Sequence, residues 1–478
     1  MSNKIPPALV RKLGADPLFD VDGFMRSQES KNTPTAIRLN PGKKTPEHLN
    51  RESHHVPWCS SGIYLHKRPL FTLDPYFHAG HYYVQEASSM FLEQVITQLK
   101  LDEKPLLALD LCAAPGGKST LLQSALHADS LLVSNELIKS RVNTLEDNMI
   151  RWGYANSVVT NNDPSAFSRL PHFFDLMLVD APCSGSGMFR KEKQAVEAWS
   201  EAAVKLCRER QQRILAQSIA CLKPGGILIY STCSYSEEEN EQMSDWLIQY
   251  DDLDPIALAL EDEWGVEQTY SPLEKAPGYR FYPHRLQGEG FFLAVFRRRS
   301  AGMEPNTAAT LTAAPLLKKK SVKNKKQKEE ALHIPTEFFQ KYLLHPEEYQ
   351  GFYLGKYLYA IDQRHKDSLY TLKKMLYIIH AGLCLGTPLR DDLIPHHAIA
   401  LSRIRRPDLP VLRVNLEQAL NYLRKSNLDQ QALSAANQQV LTKGWVLIQY
   451  EHATLGWVKV LDGRINNYYP KDWRIVHL

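Results

Sequence analysis

Two cysteines stand in settings suited to thiol chemistry. Cys183 lies in Asp180-Ala181-Pro182-Cys183-Ser184-Gly185-Ser186-Gly187, and Cys233 in Tyr230-Ser231-Thr232-Cys233-Ser234. Each is a polar turn that directly follows an apolar run. The thiolate is the nucleophilic form of cysteine, so a reactive thiol belongs in a polar, partly exposed setting and an inert one in a core. Cys207 and Cys221 fall in a helical stretch and read as small buried hydrophobes. If the two apolar runs are strands of one sheet, Cys183 and Cys233 meet on the same edge of it. The seven cysteines are odd in number, scattered and without a CxxC pair. Neither a disulfide framework nor a zinc site is indicated, and free thiols with no metal are expected.

A second constellation precedes them. In Asp110-Leu111-Cys112-Ala113-Ala114-Pro115-Gly116-Gly117-Lys118-Ser119-Thr120 a strand ends, a glycine turn follows and a helix starts. Ligands of open α/β sheets sit at the carboxyl ends of strands, where glycine lets them approach the backbone. The helix N-terminus then offers free N–H groups and partial positive charge to a carboxylate. Neither GxGxxG nor GxxxxGK[ST] is present, so a phosphate-binding loop is disfavoured. Glu136 ends the next strand, where its carboxylate can accept both ribose hydroxyls of an adenosine. Asp163 follows the third, where a carboxylate can accept from an adenine amino group. Each alone has the alternative of a solvated side chain. Their repeated place after successive strands favours the joint reading.

The elements that must position these groups read as alternating strands and helices. Apolar runs at Leu106–Leu111, Leu131–Ser134, Ser157–Thr160, Leu176–Asp180 and Ile227–Ser231 predict five strands, and Phe291–Phe296 a late one. Helical spacing covers Ile138–Trp152, stopped at Gly153, then Glu201–Leu222, stopped by Pro224-Gly225-Gly226, and Glu237–Tyr250. Apolar strands separated by helices predict a mostly parallel sheet covered on both faces, an α/β Rossmann-like fold.

The chain has 478 residues, 44% of them apolar and 23% charged, enough for several domains with sizeable cores. No apolar run is long enough to span a membrane, and the first residues lack the apolar stretch of a signal peptide. The expected place is the cytoplasm, with no membrane partner. A net charge of +4 is by itself too weak to argue for nucleic acid. Its distribution says more: Lys318, Lys319, Lys320, Lys323, Lys325, Lys326 and Lys328 fall in an Ala-, Thr- and Pro-rich stretch that reads as a basic disordered linker, either a solvated tether or a phosphate-contacting arm.

Asp110–Lys118, Asp180-Ala181-Pro182-Cys183 and Ser231-Thr232-Cys233 together resemble the Nop/Sun family of RNA cytosine-5 methyltransferases. The resemblance covers about residues 35–300 and takes in Arg38-Leu39-Asn40 and Gln85-Glu86-Ala87-Ser88-Ser89-Met90. Ser119 stands where many members carry Thr. The added C-terminal part, ending Tyr468-Tyr469-Pro470, looks like the bacterial RsmF-type branch that modifies small-subunit (16S) ribosomal RNA. The resemblance implies S-adenosyl-L-methionine as cofactor, lined by Cys112, Ala113, Ala114, Pro115, Gly116, Gly117, Lys118, Glu136, Asp163 and Asp180. It implies Cys233 as nucleophile, Cys183 as the thiol that assists product release, and Asp180 as a catalytic group that can bond the exocyclic amine or N3 of the base. A monomer acting on ribosomal RNA or the small subunit is expected.

That chemistry explains the need for a thiol. Carbon 5 of cytosine is a poor nucleophile, and thiolate addition at carbon 6 moves electron density onto it. The base must leave any stack to reach the pocket. Arg190, Lys191 and Lys193 follow the Cys183 loop and read either as phosphate contacts or as a solvated face. A DNA cytosine-5 methyltransferase would instead use Cys183 as nucleophile; the extra thiol at Cys233 and the loop beginning at Cys112 argue against it. A tRNA cytosine-5 methyltransferase and a non-enzymatic ribosome-assembly factor are the remaining alternatives.

The expected partition is an N-terminal α+β RNA-binding extension (1–100), the methyltransferase domain (101–300), the basic linker (301–330), an α+β module (331–400) and a β-rich PUA-like RNA-binding module (401–478). In the last, Gly444–Tyr450 and Gly456–Leu461 read as a hairpin. Arg403, Arg405 and Arg406 supply charge, and Tyr468 and Tyr469 aromatic surface. Trp445 and Trp457 sit in strand patterns and read as core.

Overall fold

A computed structural model describes residues 5–30, 33–50, 53–299, 334–389, 392–428, 433 and 443–476. The lysine-rich segment 301–330 lies outside these residues.

The central element is a ten-stranded sheet. Its strands are β1 (Leu107–Asp110), β2 (Leu131–Asn135), β3 (Ser157–Thr160), β4 (Phe174–Asp180), β5 (Leu222–Thr232), β6 (Leu253–Pro255), β7 (Glu267–Tyr270), β8 (Pro277–Phe281), β9 (Phe291–Arg298) and β10 (Ile378–Ala381). The order is β7-β8-β9-β5-β4-β1-β2-β3-β10, with β6 on β9. The pairs β3–β2, β2–β1, β1–β4 and β4–β5 are parallel. β9 returns antiparallel on β5, with Phe292 opposite Thr232. The apolar runs of β1–β5 are buried because helices cover both faces: Leu109, Val133, Val158, Met177 and Leu228 pack on one side, and Ala108, Leu132, Val159, Leu178 and Ile229 on the other. The sheet is the predicted α/β type, but mixed rather than mostly parallel: the parallel core β3-β2-β1-β4-β5 is extended by antiparallel strands at both edges.

Local chemistry sets the ends of the helices. Gly153, at φ 86°, caps Lys139–Trp152 in the left-handed region. Ser200 accepts from Ala203 N to start Glu201–Ser218. The latter was expected to reach Leu222; it yields to a short 3-10 turn, and the strand runs back through Pro224-Gly225-Gly226 to Leu222.

N-terminal to the sheet lies a four-stranded antiparallel sheet in the order Ser53–Val56, Cys59–Leu65, Thr35–Leu39, Tyr82–Val84. C-terminal to it lie two more four-stranded sheets, Tyr349–Leu354 to Asp392–Pro395 and Val411–Val414 to Arg464–Asn467. The last contains the expected hairpin, with Ala453–Leu461 as its second strand, longer than the sequence pattern.

The sequence places its main boundary at the basic linker, yet the central sheet crosses it. β10, from the far side, pairs antiparallel with β3, Ala381 opposite Val158. Leu369, Leu372 and Leu376 pack in the same core as Phe167 and Met177. Ile37 and Ile63 of the N-terminal sheet share a core with Tyr422 and Val458. Among the described residues no helix is long and apolar enough to cross a membrane.

Candidate active site

The candidate residues gather along the carboxyl edge of the parallel strands. β1 ends at Asp110, which is fully buried and accepts from Ser119 Oγ at 2.7 Å. Burial pushes its carboxyl up to about 7; the Ser119 bond opposes this and the Asp180 charge adds to it. Leu111–Gly116 forms the turn, and the helix Gly117–Ala125 follows. Gly116 has φ 110°, a backbone conformation that a side chain would strain. The N–H groups of Gly117, Lys118 and Ser119 precede the first intrahelical bond, from Thr120 N to Gly116 O.

Lys118 reaches from this helix to the end of β4. Its Nζ donates to Asp180 Oδ2 at 2.9 Å, and Ser231 Oγ on β5 donates to Asp180 Oδ1 at 2.8 Å. Burial alone would lower the Lys118 ammonium; the Asp180 carboxylate outweighs it and the net shift is upward. Glu136, after β2, is buried; its Oε1 accepts from Ile138 N at 2.7 Å and its Oε2 lies 3.3 Å from Arg141 Nη1. Arg141 in turn donates to Ala114 O, tying the β2 end to the glycine turn. Asp163, after β3, is exposed and accepts from Ser165 N and Oγ.

Cys183 and Cys233 do meet. Their Sγ atoms are 3.1 Å apart, on loops that leave β4 and β5. The hydrogen bond with Cys233, then burial, holds the Cys183 thiol well above its ordinary range. Gly187 N donates to Cys233 O at 2.8 Å, and a Cβ on Gly187 would fall 2.3 Å from Gly290 O. Only glycine lets these loops close on each other. Cys112 is also pushed up by burial, which keeps it a neutral thiol.

Beneath the thiols sits a group that sequence reasoning passed over. Glu239 accepts from Ser184 N at 2.8 Å, from Ser234 Oγ at 2.6 Å and from Gln211 Nε2 at 3.2 Å, so one carboxylate binds both cysteine loops. Asn240 adds Thr232 Oγ1 at 2.6 Å and Ser234 O at 2.8 Å. Burial raises Glu239, and its hydrogen bonds only partly offset that. The run Glu237–Glu241 reads as the start of a helix; its signal was three acids and an asparagine at the end of a turn that follows a cysteine.

The N-terminal motifs acquire roles too. Arg38, buried, donates to Gln85 Oε1 at 2.8 Å, Thr120 Oγ1 at 2.6 Å and Gly117 O at 3.3 Å, with Trp152 stacked 4.4 Å beneath it. It fastens the N-terminal sheet to the first turn of the Gly117 helix. Glu86 accepts from Ser88 N, Ser89 N and Glu289 N, joining this sheet to the segment before β9.

Other expected contacts fall elsewhere. Arg190 has a side chain only 5% exposed, 3.6 Å from the buried Glu289, so it is no part of a solvated face; Lys191 Nζ lies 3.8 Å from the same carboxylate. Lys193 starts a short exposed helix. Tyr469 is fully buried and pairs with His78, so it is core rather than RNA-facing surface. Trp457 is core as expected, while Trp445 is half-buried against the exposed Tyr468. Arg406 is paired with Asp408. Among the described residues no group of His, Cys, Asp and Glu is arranged to hold a metal.

Comparison with known proteins matches three segments. Residues 96–297 match the family described as 16S rRNA methyltransferase RsmB/F, residues 6–87 the N-terminal domain of 16S rRNA methyltransferase RsmF, and residues 409–475 the methyltransferase RsmF PUA domain. The chain is 30% identical to ribosomal RNA small subunit methyltransferase F of Aliivibrio fischeri (strain ATCC 700601 / ES114), over 91% of this chain and 90% of that protein. It is 28% identical to the protein of that name from Vibrio parahaemolyticus, over 87% and 85%. Among solved structures, a methyltransferase homolog protein from Pyrococcus horikoshii aligns with TM-score 0.50 and 28% identity, over 62% of this chain and all of that one. NSun6 from the same organism, with SFG, aligns with TM-score 0.51 and 19% identity over 63% of this chain and all of that one, a likeness of fold.

Proposed function

The chain belongs to the RsmF-type 16S rRNA methyltransferase family and is an enzyme of the methyltransferase class; from that premise we propose that it methylates carbon 5 of a cytosine in small-subunit ribosomal RNA, with Cys233 as nucleophile. The observation that carries this reading is the pair of thiols 3.1 Å apart beside the Lys118–Asp180 ion pair.

The donors and acceptors on the strand edge fit S-adenosyl-L-methionine. The free N–H groups at Gly117–Ser119 suit its carboxylate, and Glu136, with Asp163 beyond it, suits the hydroxyls and amine of an adenosine. Cys112–Lys118 and Asp180 complete the lining. When bound, this group supplies an electrophilic methyl on a sulfonium.

The protein's own groups do the rest. The contact with Cys233 and burial hold Cys183 as a thiol, which suits it poorly to attack and leaves Cys233 as the nucleophile. Its electron pair forms the S–C6 bond and drives ring electrons onto C5, which would take the methyl group as the methyl–sulfonium bond yields its electron pair to sulfur. Asp180, two-thirds buried and oriented by Lys118 and Ser231, accepts from the exocyclic amine and holds the base in place. Once Cys233 is bonded to C6, the neighbouring Cys183 stands beside the adduct. Cys183 then yields its proton to solvent and takes the C5 proton, the S–C6 bond breaks, and its electron pair returns to Cys233.

Transfer of a labelled methyl group from S-adenosyl-L-methionine to small-subunit RNA, followed by bisulfite sequencing, tests this. A single resistant cytosine is expected; transfer to another position or to another RNA class alone would overturn it.

A further inference from the structure

A second concentration of charge lies away from the thiols. It lies against the C-terminal end of the helix Lys139–Trp152, where Lys43 bonds Arg151 O, while the other end of that helix begins beside Glu136. Fourteen residues span about 20 Å. There the N-terminal segment and the C-terminal region enclose a cleft of about 350 Å³ lined by Lys43, Lys44, His81, Arg403, Arg405 and His452, with no carboxylate in its wall.

The cations converge without being neutralised. Lys43 Nζ donates to Ala79 O at 2.6 Å and Arg151 O at 2.8 Å, both neutral carbonyls. Arg405 Nη2 donates to Thr454 Oγ1 at 2.8 Å, while its Nε is buried without a hydrogen-bond partner. His452 Nε2 is likewise buried and unpartnered; Glu451 beside it accepts from the Tyr76 hydroxyl. Arg403 lies 4.1 Å over the Tyr154 ring and passes so close to Gly42 that a Cβ there would fall 2.3 Å from its Nε. Among the described residues none of Lys43, Lys44, Arg403 and Arg405 has a carboxylate in ion-pair range. Burial, then the charges of Arg405 and Arg403, depress the Lys43 ammonium to about 7. Buried polar groups left unpaired are costly, and like charges gathered in a cleft raise the local concentration of a counter-ion.

We propose that this cleft binds a phosphate group, held between the N-terminal segment and the C-terminal region. Tetrahedral oxygens can accept from several directions at once, which suits Lys43, the pair Arg403 and Arg405, and His452 arriving from three separate loops. At about 20 Å from the strand edge, the site serves a strand flanking the target nucleotide rather than the target itself. It rests on the RNA-modifying reading only for the source of the phosphate.

The test is binding by the full-length protein. Fluorescence anisotropy of a labelled single-stranded RNA is measured from 50 to 200 mM salt for the wild type, Arg403→Ala and Lys44→Ala. Lys44 is exposed, so its removal costs no packing. Each variant is expected to weaken binding about three- to tenfold and to reduce the slope of log K against log salt by about 0.7. In a parallel arm, inorganic phosphate is titrated while the melting temperature is followed. Loss of RNA affinity assigns the site to a backbone phosphate. Phosphate stabilisation that Arg403→Ala abolishes, with RNA affinity intact, assigns it to a free phosphate. Unchanged RNA affinity, unchanged slope and no phosphate effect overturn the proposal. Because binding is read without turnover, a failure of the methylation reading would appear separately, as RNA bound but not modified.

Discussion

Cys183 Sγ and Cys233 Sγ lie 3.1 Å apart although fifty residues separate them in the chain. Their loops leave β4 and β5, where Asp180 stands opposite Ser231 in parallel register. That register brings Cys183, three residues past the end of β4, level with Cys233, which directly follows β5. In the proposed mechanism the two sulfurs therefore face one base and differ in role.

Cys233→Ala is expected to abolish methyl transfer while leaving cofactor affinity within a few fold. In the proposed mechanism Cys233 bonds the base, and the groups proposed to line the cofactor belong to other strand ends. Labelled-methyl transfer and calorimetry check the two halves. Full activity in the variant would remove Cys233 from the mechanism.

Cys183→Ala is expected to trap enzyme on RNA. Without the second thiol, C5 keeps its proton and the S–C6 bond persists after methyl transfer. A denaturing gel should show a slow, RNase-sensitive band that the double Cys183→Ala, Cys233→Ala variant lacks. The same band from Cys233→Ala alone would mean that the roles are exchanged.

Glu239→Ala is expected to slow the reaction about 100-fold without changing cofactor affinity, because the Ser184 and Ser234 loops lose their common acceptor and the thiols lose their register. Leaving Gln211 and two hydroxyls unsatisfied in a buried site should also cost about 3 kcal/mol of stability. Glu239→Gln, which keeps one acceptor oxygen, should fall between. Single-turnover rates and urea unfolding measure both. A normal rate in stably folded Glu239→Ala would show that the loops hold themselves.

Both cysteine turns and the glycine turn after Asp110 were legible because each combines a strand end with residues that a plain turn does not require. Glu239 was not, nor was the part Arg38 plays, although its motif entered the resemblance. A carboxylate that accepts from two distant loops carries no local pattern, and an arginine inside a short strand looks like any solvated cation until its partners are known. Tyr469 was misread for a related reason: a tyrosine beside a turn at the chain's end is surface by pattern, and only packing against Tyr422 and His397 buries it.

Asp110 makes stability depend on pH. Its carboxyl is raised by burial from 3.8 to about 7 in the folded protein. Between these values the folded state holds a proton that the unfolded state has lost, so this group's contribution falls as pH rises, by about 1.4 kcal/mol per unit at most. It is fully present below pH 4 and gone above 7. Asp110→Asn keeps the acceptor for Ser119 Oγ and cannot ionise. The variant should therefore gain on the wild type as pH rises from 5 to 8, by order of a few kcal/mol, in urea midpoints. A pH-independent difference would place the proton elsewhere.

Removing everything after residue 300 tests whether the C-terminal region is an appendage. A purely tethered RNA-binding module could be lost with the methyltransferase sheet intact. The sheet itself argues otherwise. Without β10, the edge of β3 at Val158 and Thr160 is unpaired, and an exposed apolar edge strand invites association. Ile361, Leu369, Leu372 and Leu376 would leave the core that holds Phe167 and Met177. Each such side chain contributes about 1.5–3 kcal/mol when buried, so four together rival the 5–15 kcal/mol net stability of a typical protein. The N-terminal sheet would also lose Tyr422 and Val458 from the core around Ile37 and Ile63. The truncated chain is therefore expected to aggregate or to melt well below the full-length protein, and to bind cofactor weakly as a consequence. Size-exclusion chromatography, thermal melts and calorimetry measure this. A monomeric truncated chain with full cofactor affinity would show that β10 and its helix rest on the sheet without supporting it.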